Sequence, residues 1–256
     1  MQIIPGRKRN GIHSGALRTW GMLFVAAGVI SRSVLQRSML GMGAISGPQL
    51  LEIMSTDSAM SIATVALVLQ VLEACAVPIF ACLLVEGFKN TSDFKNYLLR
   101  VVGLALLSEL PYNLAISGKL LDFSTRNPVF GIALGLIVLA FYKHYEGKSV
   151  QNIAIKTVVT LAAVLWVGML DIEYGTPLVL VAAVLWAFRS NTLLANVAGA
   201  TVSIVCSLSS LFMMAAPMGF LAVHSYNGEK GESNRTVDYL AYPVLLLGSF
   251  LASLVL

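Results

Sequence analysis

The chain has 256 residues, 57% hydrophobic and only 12% charged, with a net charge of +4. A soluble domain is usually about 25% charged, and here the deficit runs along the whole length, which excludes a soluble domain on a single anchor. Lys and Arg are dispersed rather than clustered, which excludes a nucleic-acid surface.

The composition predicts one all-α integral membrane domain over 1–256, a polytopic transmembrane helical bundle of about nine spans behind a short basic tail, residues 1–17. Arg7, Lys8, Arg9 and Arg18 precede an apolar run from Gly21 to Ile30, as in a signal peptide. Ser31-Arg32-Ser33 then stands where a small-x-small cleavage site would follow, so an uncleaved first span is expected, from Arg18 to Leu40. Arg32 and Arg37 flaw it. A loop through Ser55-Thr56-Asp57-Ser58 leads to a long second span, Met60 to Phe88, in which Pro78 predicts a tilt or kink. The third runs from Tyr97 to Ile116 and is interrupted by Glu109 and Pro111.

The fourth span is expected from Pro128 to Tyr142, the fifth from Ile153 to Leu170 and the sixth from Gly175 to Phe188. Thr192 to Val223 holds no charge and would span about 48 Å as one helix, against about 30 Å of hydrocarbon. Two short spans broken near Ser207-Leu208-Ser209-Ser210 fit better. Thr236 to Leu256 is the last. With the N-terminus inside a cytoplasmic (inner or plasma) membrane, only Arg32, Arg37, Lys119 and Arg126 of the 17 Lys and Arg residues fall outside. That is a strong positive-inside bias, and it favours nine spans over eight. Cys75, Cys82 and Cys206 sit in apolar runs without metal-ligand spacing and read as packing residues.

Ionisable groups inside spans are costly and therefore functional candidates. Glu73 has Gln70 on the same helical face, which suggests a carboxyl–amide hydrogen bond. Glu109 lies in Ser108-Glu109-Leu110-Pro111-Tyr112-Asn113, where the proline is expected to break the helix and free a carbonyl near Leu107. A carboxylate there is a candidate general base or proton relay. Arg126-Asn127-Pro128 and Asp171-Ile172-Glu173-Tyr174-Gly175 fall on the same side and are expected to converge on a polar mouth.

Several of these segments resemble one family. Ala76 to Phe88, reading Ala-Val-Pro-Ile-Phe-Ala-Cys-Leu-Leu-Val-Glu-Gly-Phe, is similar to a segment of TraX proteins. So are Tyr97 to Arg100, Ser108 to Leu114, Asn127 to Phe130, Tyr226 to Gly231 and Tyr239 to Pro243, in the same order. The resemblance implies a polytopic inner-membrane acyltransferase that moves an acetyl group from acetyl-CoA to an amine acceptor such as a protein N-terminus. The family's founding member is associated with conjugative pilin. Carried over residue by residue, it points to Glu109, Tyr112 and Asn127 as catalytic and to Glu86, Arg100, Tyr226, Asn227 and Gly228 as cofactor-binding, with Ser108, Pro111, Tyr242 and Pro243 also matching.

Two family features have no counterpart. An Asp-His pair in the first span is replaced within Ala26 to Arg32, and a histidine after the final Tyr-Pro by Leu245. Without those imidazoles, a carboxylate such as Glu109 is left as the base. The alternatives are a catalytically inactive membrane binding or assembly protein of the same fold, or a transporter of small solutes or lipids.

Overall fold

A computed structural model describes residues 11–41, 56–147, 149–231 and 235–255. Arg7, Lys8, Arg9, Ser55 and Lys148, which entered the reading of tail, loop and charge, lie outside the described residues. Among the described residues nine helical rods form one bundle: α1 (Ser14–Met39), α2 (Asp57–Asn90), α3 (Phe94–Ser117), α4 (Val129–His144), α5 (Val150–Met169), α6 (Gly175–Ala187), α7 (Thr192–Leu208), α8 (Leu211–Ser225) and α9 (Arg235–Val255). The first begins at Ser14, so the expected tail loses its last residues to helix. Five rods, α1, α2, α3, α5 and α9, are long and apolar enough to cross a bilayer alone. The other four are shorter apolar helices.

The chain runs up and down. Arg18 of α1 pairs with Asp238 of α9 at one end, and Arg37 of α1 reaches Ser253 of α9 at the other. The 118–128 loop pairs with the loop after α5 through Arg126 and Ile172, and Arg189 after α6 pairs with Glu146 after α4. The end that holds Arg18, Lys95, Arg100, Lys143 and Arg189 is the basic end. Four helices start there on side-chain caps that satisfy otherwise unpaired backbone N–H groups. His13 accepts from Ala16 N, Asp93 from Asn96 N, Ser149 from Asn152 N and Asn191 from Leu194 N, at 3.0–3.2 Å.

Two irregularities shape the interior. The last nine residues of α1, Ser31–Met39, wind as a π-helix, a form that often marks functional positions. Three of its polar side chains are buried and hydrogen-bonded: Ser31 Oγ donates to Ala66 O of α2 at 2.7 Å, Ser33 Oγ to Val29 O, and Gln36 Nε2 to Ser31 Oγ. α2 is interrupted at Cys75, between Asp57–Ala74 and Ala76–Asn90. Pro78 sits in the first turn of the second half, where a missing N–H costs least. The irregularity in this helix thus falls at Cys75, three residues before the proline.

α3 corrects the expectation of a break. It runs unbroken through Pro111 to Ser117 and stops at Gly118, whose φ of +72 ends the helix in a left-handed cap. In the following loop the Ser124 N–H donates to Asp122 at 3.0 Å and holds that carboxyl down at about 2. α7 and α8 part at Ser209-Ser210, as the length argument requires.

The core lies where α4 and α6 meet the second half of α2, among Leu84, Leu136, Leu139, Val181 and Ala182. α5 turns Val158, Leu161, Leu165 and Trp166 outward, all more than half exposed. Such a face is stable in lipid and a liability in water. The three cysteines are buried and in no disulfide.

Candidate functional site

Arg32 leaves the π-helical end of α1 and points into the bundle, with its side chain 13% exposed. One terminal nitrogen pairs with Glu73 Oε1 of α2 at 2.6 Å and the other with Glu173 Oε1, in the loop before α6. Tyr174 Oη donates to the second oxygen of Glu73 at 3.1 Å, and Tyr112 Oη donates to the second oxygen of Glu173 at 3.0 Å. The buried Tyr242 of α9 lies within electrostatic range of the same group. The guanidinium fork is what permits this arrangement, since its separate N–H groups hold two carboxylates at once.

A second group abuts it. Glu109 of α3 accepts from Arg126 at 2.9 Å on one oxygen. On the other it accepts from the Asn127 side chain at 2.6 Å and from the Asn127 backbone N–H at 3.3 Å. Asn127 also donates to Ala105 O at 2.9 Å, and its Oδ1 accepts from Val129 N, which starts α4. Backbone bonds tie the two groups: Arg126 N donates to Asp171 O at 2.9 Å, and Glu173 N donates to Arg126 O at 3.0 Å.

Several expectations are revised. Glu73 pairs with Arg32 and Tyr174, whereas Gln70 turns to a cleft wall. Arg32 and Arg37, counted toward the outer side as flaws of the first span, are helical residues whose side chains turn to other helices. Arg37 donates to Leu114 O at 2.8 Å and lies over the Phe250 ring. Their polar partners sit on other helices, which a linear charge count cannot register. Glu109 is not released by a helix break; it is the acceptor that fixes the start of α4.

Two clefts approach the cluster. One, of 340 Å³, opens at the basic end between Arg18, Arg100, Lys230, Asn90 and Asp238, then runs between apolar walls to Val129. Arg100 lines it, while Glu86, one turn before Asn90, accepts from the Asn90 amide at 3.3 Å. Tyr226, Asn227 and Gly228 do not line it. Asn227 N donates to Ile12 O at 2.9 Å and Gly228 adopts a φ of +84, so the segment is pinned to the start of the chain and carries Lys230 to the cleft mouth. The other cleft, of 370 Å³, lies at the opposite end, where Arg32, Gln70, Asp171, Glu173 and Tyr174 face Phe212 and Met213. The expected polar mouth thus gains α2 and α8 as walls. No group of three potential metal ligands occurs among the described residues.

The sequence model of the TraX protein family matches residues 50–251. The chain belongs to the TraX family. No curated protein and no solved structure matches it. In this TraX protein the matched stretch holds Glu73, Glu109, Arg126, Asn127 and Glu173, while Arg32 precedes it. Arg32 is the residue that sequence reasoning missed as a centre. Its signal was the polar run Ser31-Arg32-Ser33, with Gln36, inside an apolar span.

Proposed function

We propose that this TraX protein is an integral membrane acyltransferase that moves an acetyl group from acetyl-CoA to an amine acceptor such as a protein N-terminus. The cleft at the basic end carries the reading. Its mouth gathers Arg18, Arg100 and Lys230, the natural partners of phosphate groups. Its inner walls, Phe80, Leu83, Leu84, Val101, Leu104 and Ile132, suit an uncharged arm. That sequence of charge and then apolar slot fits acetyl-CoA, which when bound would supply an activated acyl carbon. Asp238 holds Arg18, and Asn96 O holds Arg100 Nε at 3.1 Å, so both guanidinium groups are oriented before a ligand arrives. The slot ends at Val129, two residues from Asn127, whose side-chain amide donates to Glu109, the partner of Arg126. An N-terminus inside the cytoplasmic membrane places this mouth on the cytoplasmic face, in line with the charge bias.

A second reading, transport of a small solute or lipid, draws on one observation: the two clefts sit at opposite ends of buried ionisable groups. Purified protein in lipid nanodiscs, given acetyl-labelled coenzyme A and a peptide with a free N-terminus, separates the two. Transfer of label is the expected result. Arg100→Ala is expected to weaken acetyl-CoA binding about tenfold, the worth of one charge-assisted hydrogen bond, and Lys119→Ala to leave it unchanged. Wild-type protein that neither binds acetyl-CoA nor transfers label rules the acyltransferase reading out.

A further inference from the structure

We propose that Glu173, rather than Glu109, is the carboxylate that receives the acceptor, holding its ammonium group in the far-end cleft and taking its proton. The proton step rests on the acyltransferase reading; the binding of an ammonium group does not.

Access separates the two carboxylates first. Glu173 lines the far-end cleft together with Asp171 and Tyr174, whereas Glu109 lines neither cleft described above. Saturation separates them next. A carboxylate offers about four lone-pair positions. Glu109 spends three, on Arg126 and on the side-chain and backbone N–H groups of Asn127. Glu173 spends two, on Arg32 and Tyr112.

Charge gives the third reason. Glu109 has Arg126 as its partner, but Glu73 and Glu173 share the single guanidinium of Arg32. Two carboxylates on one cation call for a further positive group, and an arriving ammonium supplies it. Arg32 is also incompletely bonded, since its buried Nε has no hydrogen-bond partner among the described residues.

The loop that presents Glu173 is held in a costly shape. Asp171 and Tyr174 flank it with φ of 48 and 52, left-handed values for residues that carry a Cβ. The cost is about 1–2 kcal/mol at Tyr174 and smaller at Asp171, whose short side chain tolerates that backbone, and such positions gather at ligand sites. The exposed Asp171 adds a second negative group at the mouth, and Phe212, Met213 and Pro177 supply an apolar wall. The cleft therefore selects a primary ammonium on an apolar body. In the proton step an N–H bond of the ammonium breaks, its electron pair stays on nitrogen, and an O–H bond forms on Glu173. The amine becomes neutral, and the group of Arg32, Glu73 and protonated Glu173 carries no net charge.

The test is a calorimetric titration of the full chain in lipid nanodiscs with phenethylamine and with its neutral counterpart 2-phenylethanol. The amine is expected to bind at least about tenfold tighter, the worth of one charged hydrogen bond. Glu173→Gln and Asp171→Asn should each erode that preference, and Glu109→Gln should keep it. Asp171→Asn sits on an exposed loop and Asn tolerates the left-handed backbone, so it serves even if Glu173→Gln fails to fold. Equal binding of amine and alcohol, or a preference that survives both Glu173→Gln and Asp171→Asn, overturns the site. Acetyl transfer left intact in folded Glu173→Gln overturns the proton role. Amine selectivity that depends on Glu173 in a wild type that neither binds acetyl-CoA nor transfers its acetyl group supports the site and instead removes the acyltransferase reading.

Discussion

Gly28 of α1 and Glu73 of α2 are in direct contact: a Cβ on Gly28 would overlap the Glu73 carboxylate. The bare turn of α1 is what lets a buried carboxylate, 4% exposed, lie against the helix one turn before its partner Arg32.

Gly28→Ala is accordingly expected to push Glu73 off Arg32 and to cost about 1–3 kcal/mol, the usual penalty of overpacking. Gly103→Ala is the control. Its Cβ would meet nothing within 4 Å, so the gain of helix propensity should leave stability equal or higher. Thermal unfolding in one detergent compares them, and equal melting temperatures would count against the Gly28–Glu73 contact.

Arg32→Leu leaves the carboxylates of Glu73 and Glu173 buried without their cation. Removing one partner of a buried ion pair costs about 3–5 kcal/mol, enough to lower the yield of folded protein sharply. Arg32→Lys should recover only part of that loss. An ammonium is a point charge and lacks the fork that serves two carboxylates. Full recovery with lysine in the same unfolding assay would show that charge alone, without geometry, holds the cluster.

Glu109→Gln removes the negative charge and one of the two acceptor oxygens that Arg126 and Asn127 divide between them. We expect a loss of about 2–3 kcal/mol, as for a broken charged hydrogen bond, and amide hydrogen exchange that rises at the start of α4 before it rises elsewhere. Uniform exchange along α4 would separate Glu109 from the ordering of Asn127.

Cysteines placed at Ser149 and Leu121 should label from opposite sides of the membrane, Ser149 from the cytoplasm. The native thiols, Cys75, Cys82 and Cys206, are buried and give a low background. Leu121 is 65% exposed, in the loop after α3, and Ser149 caps α5 at the other end of the bundle. Labelling of both from one side would reject the orientation.

Helix number and most boundaries were legible in the sequence because hydrocarbon thickness sets span length and charge marks span ends. The division of 192–223 into two helices followed from length alone, and the buried cysteines from their apolar surroundings. Glu109, Asn127, Arg126 and Glu173 were each visible as polar residues in or beside apolar runs. Partnership was not visible. Arg32 and Glu173 lie 141 positions apart; the polar run around Arg32 marks it as unusual for an apolar span, but nothing local says which residues it will pair with. Only the packing of α1 against α2, with the π-helical turn carrying Arg32 inward and Gly28 vacating space for Glu73, decided that. A buried charge is tolerable when its counter-charge arrives from another helix, and that condition belongs to the tertiary structure rather than to any stretch of chain.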